Sequence, residues 1–386
     1  MSHVPPFISF ALLVCLTAPG HRAHARTHPL TPASTVIDGT AQDILPGDTL
    51  LLEPGDYPAL LFRNVNGDTG MPVVITNAPG GRVRIGDPAS PHAVQFAHST
   101  HFVFRGDGDP SIDHGIEIHA ARAKGGVGVK VDDFSSHFEL SHLEIHHVGF
   151  AGIMAKTDPR CDGSVVRGEF VQRDTHIHHN HIHDVGGEGL YIGHSFYSGW
   201  SHDCDGHPDT APVIHYPHAL EGVRIHHNLI ERTGWDGLQV GSATRDCEIT
   251  DNTIAGTGLR HVRYQQNGIQ IGEGTTGLCA RNHITNAGAH GIILLGRGDN
   301  RIIENTIIRP GAYGLFSDNR PDTVPGLPVQ ISGNTIDSPG RGGFFIMNEI
   351  SAVILDHNHL NLADDQPGLT LGDEARPKST NQTINR

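Results

Sequence analysis

The chain has 386 residues, with 27 basic and 42 acidic side chains giving a formal charge of −15, and it carries 48 Gly and 30 His. No basic stripe is available to release phosphate counterions, so nucleic acid is excluded as a partner. Beyond the N-terminus there is no apolar run of the roughly 18 residues a membrane-spanning helix needs. A chain this long usually divides into two or three domains unless it is a barrel or a repeat.

Residues 1–25 read as an export signal. Phe7 to Thr17 is apolar, and Ala23-His24-Ala25 is a small-x-small cleavage site. Residues 26–40 are expected to be a lead-in or cap. Four cysteines follow, at 161, 204, 247 and 279, in a compartment where disulfides persist.

A repeat then sets the architecture. Ile177-His-His-Asn180-His-Ile182 recurs as Ile225-His-His-Asn228-Leu-Ile230 and Ile249-Thr-Asp-Asn252-Thr-Ile254. Further copies centre on Asn282, Asn305, Asn334 and Asn358, and successive Asn lie 48, 24, 30, 23, 29 and 24 residues apart. The base period is 24, and longer intervals mark coils with insertions. Each copy has a second short strand after a glycine, as in Gly189-Leu-Tyr, Gly237-Leu-Gln, Gly268-Ile-Gln and Gly291-Ile-Ile. Apolar residues at Asn−3, Asn+2 and Gly+1 share one side of short strands, and no segment keeps a helical period. The pattern predicts an all-β, right-handed parallel β-helix over 41–360, with stacked corner Asn and a polar tail at 361–386.

The Asn-centred copies resemble the pectate-lyase-like parallel β-helix repeat family over about residues 140–360. The opening, Pro46-Gly-Asp-Thr-Leu50 to Tyr57 followed by Met71-Pro-Val-Val-Ile-Thr-Asn77, is similar to the first coils of the alginate lyase and chondroitinase B family. Such solenoids host lyases, hydrolases, epimerases and binding proteins. The resemblance implies a strand-end lysine as base, matched by Lys156, with an arginine on the next coil. Here His194 stands at that second place.

Register points to a groove. The residues before each Gly, Glu188, Asp236, Asn267 and His290, should stack ~4.8 Å apart in one outward row, beside a second row of Tyr191, Gln239 and Gln270. Three readings of Glu188 and Asp236 stay open: a Ca²⁺ site, an acid and nucleophile, or exposed turn carboxylates. Trp200, in the 196–220 insertion, and Trp235 fall near the groove and could stack on sugar rings. Histidines 176, 178, 179, 181 and 183 alternate in direction along their strands and read as solvated. Cys161 and Cys204, each before Asp-Gly in the two largest insertions, are expected to form a disulfide; Cys247 and Cys279 are expected to be buried thiols.

These features predict an exported, monomeric, carbohydrate-active protein, secreted or periplasmic, whose partner is a polysaccharide. The leading expectation is a polysaccharide lyase acting by β-elimination on a uronate polymer. Lys156, Tyr191 or His194 would be the base, and Ca²⁺ on Glu188 and Asp236 would offset the substrate carboxylate. A glycoside hydrolase using Glu188 and Asp236, and a non-catalytic glycan-binding protein, are the alternatives.

Overall fold

The computed structural model describes residues 25–202, 204 and 213–386, so most of the expected signal peptide lies outside the described residues. The strands form three parallel sheets of 14, 12 and 12 strands, plus one antiparallel pair. Each coil passes through sheet one (Thr27–Leu30 to Lys378–Thr380), then sheet two (Gly55–Tyr57 to Thr383–Asn385), then sheet three (Val36–Asp38 to Leu369–Leu371). The architecture is a right-handed parallel β-helix. Among the described residues no helix is long and apolar enough to cross a membrane.

The repeat explains the core. Ile177 and Ile225 (Asn−3) point inward from sheet one, Ile182 and Ile230 (Asn+2) from sheet two, and Leu190 and Leu238 (Gly+1) from sheet three, all with no exposed surface. Cys279 fills one Asn−3 slot, and both Cys247 and Cys279 are buried free thiols, as their strand positions imply. The glycine before each sheet-three strand is required by close approach. A Cβ on Gly237 would lie 2.5 Å from Ile254 Cγ2 and 2.7 Å from the Gly268 carbonyl oxygen.

The corner Asn form a continuous buried column. Asn228 Oδ1 accepts the backbone N–H and the Nδ2 of Asn180, at 3.1 and 3.0 Å. Its own Nδ2 donates to Asn252 Oδ1 at 2.9 Å and to the Ile177 carbonyl at 3.0 Å. The pattern repeats to Asn358, whose Nδ2 donates to Gln382 Oε1 at 3.1 Å. The residue before each Asn turns the corner in the left-handed region, with φ of +53° at His179 and at His227.

The solenoid is longer at both ends than the pattern predicts. Thr27–Leu30 and Val36–Asp38 pair in parallel with Thr49–Leu52 and Leu60–Arg63. At the other end, Leu369–Leu371, Lys378–Thr380 and Thr383–Asn385 extend all three sheets. Residues 26–40 and 361–386 are therefore coil segments rather than a lead-in and a tail. A terminal coil is covered on one side only, so even its apolar residues stay exposed, Ile384 among them; Thr383–Asn385 is exposed throughout.

The two large insertions leave the ends of adjacent sheet-three strands and are joined by a Cys161–Cys204 disulfide, with Cα atoms 5.5 Å apart. Arg167, in the first insertion, lies against the rings of Tyr197 and Tyr216 in the second, 3.5 and 5.1 Å from their centroids.

Replacing Asn228 by Leu removes the acceptor for the Asn180 N–H and for one Asn180 Nδ2 hydrogen, and removes a donor to the Ile177 carbonyl. We expect a loss of roughly 1–3 kcal/mol in urea unfolding at unchanged native circular dichroism. Parental stability for this variant would show that the column does not carry the fold.

Candidate active site

The outer face of sheet three gathers the polar residues. The strands Leu190–Ile192, Leu238–Val240 and Ile269–Ile271 pair so that Tyr191 registers with Gln239 and Gln239 with Gln270. One position before each glycine, the backbone bonds Gly189 N–H to Asp236 O, Gly237 N–H to Asn267 O and Gly268 N–H to His290 O stack Glu188, Asp236, Asn267 and His290 on successive coils.

These rows are not solvated, contrary to the expectation that the carboxylates face solvent. Glu188 is 2 % exposed and Asp236 0 %. Phe150 and Trp235 meet edge to face at 5.3 Å and line the same cleft as Glu188. Asp236 Oδ1 accepts the Asn267 N–H at 2.6 Å and its Nδ2 at 3.0 Å. Asp236 Oδ2 and Glu188 Oε2 have no hydrogen-bond partner. Burial pushes the Glu188 carboxyl up to about 7, opposed weakly by Lys156. Burial pushes Asp236 well above the carboxylate range, with Glu188 adding to the rise and Asn267 opposing it. Both carboxyls thus favour the proton.

A cleft of about 840 Å³ opens over the rows. Glu188, Tyr191, Trp235, Gln239, Asn267, Gln270 and His290 line it, whereas Asp236 lies outside the lining. A neighbouring cavity of about 520 Å³ holds Lys156, His194 and Trp200 and shares Tyr191, Ser195 and Phe196 with the first. Ser195 Oγ lies 3.1 Å from the Tyr191 hydroxyl and accepts from Gln239 Nε2 at 2.7 Å, and Gln239 Oε1 accepts from Gln270 Nε2 at 2.9 Å. The cleft floor is therefore a hydrogen-bonded chain of neutral groups.

Lys156 and His194 have specific partners. Lys156 Nζ pairs with Asp158 at 2.6 Å and lies 5.0 Å from the Tyr191 ring centroid. His194 Nε2 donates to the Thr157 carbonyl at 3.1 Å, and the Thr157 N–H donates to His218 Nε2 at 3.3 Å. Burial, then Lys156, pulls His194 down to about 3, and burial takes His218 down to about 4. Two neutral histidines thus bracket Thr157 at the start of the first insertion.

The donor set does not fit Ca²⁺. That ion takes 6–8 oxygens, whereas one Asp236 oxygen is committed to Asn267 and the adjoining carbonyls pair between coils. A proton suits these buried carboxyls better.

Sequence reasoning missed the opposite wall. Arg263 and Tyr264, and Asp318 and Arg320, line the cleft from two shorter insertions, and Glu273 lines it from the turn after Ile269–Ile271. The signal of the first four was the 30- and 29-residue Asn intervals, whose excess falls at those two loops.

Residues 216–384 match the family model described as the right-handed beta helix region. The match covers less than half of the chain and agrees with the fold of its sheets. Among solved structures it is similar to a GH136 lacto-N-biosidase from Eubacterium ramulus. The selenomethionine form shares 15 % identity over 93 % of this chain and 68 % of that one, at a TM-score of 0.57. The native form gives 12 % identity with the same coverages, at 0.54. A pectate lyase covers 85 % of this chain and 78 % of its own at 11 % identity and 0.47. No curated protein matches the sequence. At these identities the likeness is one of fold.

The Glu188 proton has a thermodynamic signature. The unfolded chain releases it near the ordinary carboxylate value, whereas the folded chain keeps it until about pH 7. Its contribution to stability is therefore lost as pH rises through that window. Glu188→Gln cannot ionise, so between pH 4.5 and 8 it should lose roughly 2–4 kcal/mol less than the parent. Urea unfolding at the two pH values checks this, and equal losses would rule out a buried, neutral Glu188.

Proposed function

We propose that this β-helix is an exported enzyme that cleaves glycosidic bonds in a glycan lying along sheet three, with Glu188 donating a proton to the departing oxygen. The observation that carries the reading is a carboxyl buried in the wall of an aromatic-lined cleft, its proton affinity raised by that burial to about 7. Trp235, Tyr264 and Phe316 offer faces for sugar rings, and Asn267, Gln239 and Gln270 are neutral groups for hydroxyls. Export is supported by the Cys161–Cys204 bridge, which an oxidising compartment maintains.

Hydrolysis is the reading we favour. It needs an acid together with a second carboxylate that stays ionised, and such pairs arise where environments push two carboxyls apart. Asp236 is a poor partner, being buried beyond the cleft lining. Asp318, ion-paired with Arg320 at 2.9 Å, and Glu273, accepting from Ser198 at 2.9 and 2.6 Å, line the same cleft. The solved structures named above include a glycoside hydrolase, but the reading rests on this chain's own cleft.

A second reading is favoured by Lys156 beside Tyr191 at the junction of the two cavities. In β-elimination a base there would take the C5 proton of a uronate. The C4–O bond would break to leave a C4=C5 double bond, and the acid would protonate the departing oxygen.

A panel of neutral and uronate-containing glycans, assayed for reducing ends and for ultraviolet absorbance of unsaturated products, tests both. We expect reducing ends without absorbance, at least 100-fold lower for Glu188→Gln, with Asp318→Asn and Glu273→Gln identifying the second carboxylate. Absorbance would move the assignment to elimination. Glycan binding without cleavage, or an unaffected Glu188→Gln, would defeat the enzymatic reading.

A further inference from the structure

The outer face of sheet two carries a second constellation, away from the cleft. Residues that alternate along one strand cannot converge, but stacking supplies what a single strand lacks. Ile118, Ile145, Ile182 and Ile230 point into the core with no exposed surface. Their flanking residues therefore face outward, with Glu144 in register with His181, and His146 with His183. In this patch the ligand atoms of Glu144, His181 and His183 lie within 4.8 Å of one another.

The surrounding bonds leave lone pairs aimed at this space. His183 Nδ1 is 2.8 Å from Asp184 Oδ2, and Arg232 grips both oxygens of Asp184, at 2.9 and 2.8 Å. A carboxylate so placed accepts Nδ1–H and leaves the lone pair on Nε2. That Nε2 is buried, has no hydrogen-bond partner and lies 3.7 Å from Glu144 Oε1. Arg82 bonds the other Glu144 oxygen. His181 Nε2 faces Glu231 Oε2 at 3.1 Å, which fixes its tautomer in the same way.

The gap between Glu144 and His183 is too long for a hydrogen bond. It is near the ~3.3 Å separating two ligands of a tetrahedral ion with bonds of about 2.0–2.1 Å. A carboxylate holding the far nitrogen of a ligating imidazole is the usual outer support of such sites. Two nitrogens and one carboxylate select a zinc-like cation over Ca²⁺, which prefers oxygen alone.

We propose that Glu144, His181 and His183 bind a divalent transition-metal ion of the zinc class on the face of sheet two, independently of the cleft. The neighbouring Glu139, His176 and His178 group on sheet one makes a useful control, because its atoms already satisfy one another. His178 Nε2 pairs with Glu139 at 3.2 Å, and His176 Nε2 with His226 at 2.7 Å.

Calorimetric titration of Zn²⁺ into the chelator-treated full chain tests the proposal, with Co²⁺ absorbance as a second readout. One equivalent should be lost or weakened at least tenfold in both Glu144→Gln and His183→Gln, and weakened about tenfold in Asp184→Asn. His176→Gln should bind as the parent does, and the visible Co²⁺ bands should vanish in His183→Gln. No Zn²⁺ binding by the parent, parental binding by both Glu144→Gln and His183→Gln, or a loss that follows His176→Gln instead, would each overturn it.

Discussion

From Asn228 onward each corner asparagine accepts two bonds from the asparagine of the coil before it and donates to the coil after it, buried from water. A coil shifted by one residue would leave those donors and acceptors unpaired in the core. Each such group costs about 1–3 kcal/mol, and the column runs from Asn180 to Asn358. A slip of one residue would also turn every inward isoleucine to solvent. Register is therefore fixed twice, by polar groups at the corner and by apolar ones along the strands.

Fixed register turns sequence repeats into spatial columns, and a column concentrates whatever chemistry its position carries. On sheet three the result is a carboxyl pair and an amide chain; on sheet two it is alternating glutamates and histidines. The two faces differ in what covers them. Sheet three sends out the large insertions and packs Phe150 and Trp235 beside its polar row, whereas Glu144, His181 and His183 on sheet two keep 14–26 % of their side-chain surface exposed. Ionisable groups of similar type are thus neutral in one place and ion-paired in the other.

The fold was legible because its determinants are local and repeated: Asn, the flanking Ile and the Gly of each coil. Register then placed Glu188, Tyr191, Gln239, Asn267, Gln270 and His290 along one cleft from spacing alone. Burial was not legible, because it depends on how neighbouring coils and loops pack around the row, and such contacts have no fixed spacing in the sequence. The terminal coils were lost for a related reason. The Thr383–Asn385 strand pairs through its backbone, and one exposed isoleucine, Ile384, is too short an apolar signal to mark a coil. Alternation correctly described His181 and His183 within their strand, but it is silent on what neighbouring coils bring alongside.

Two stacked carboxyls must be relieved of mutual repulsion, by a cation, a substrate or a proton. Burial decides among these. It removes the water that would stabilise a carboxylate, and the desolvation outweighs the two bonds from Asn267 that favour the charged form of Asp236. With Asp236 neutral behind it, Glu188 meets the cleft without a charged neighbour in its own row, and burial alone brings its affinity for a proton to the range where it can donate and recover one near neutrality. The amide chain beside it is neutral as well. The charged groups of the cleft, Arg263, Glu273, Asp318 and Arg320, come from the loops rather than from the rows. The solenoid thus supplies a floor of neutral groups, and the loops supply the charge around it.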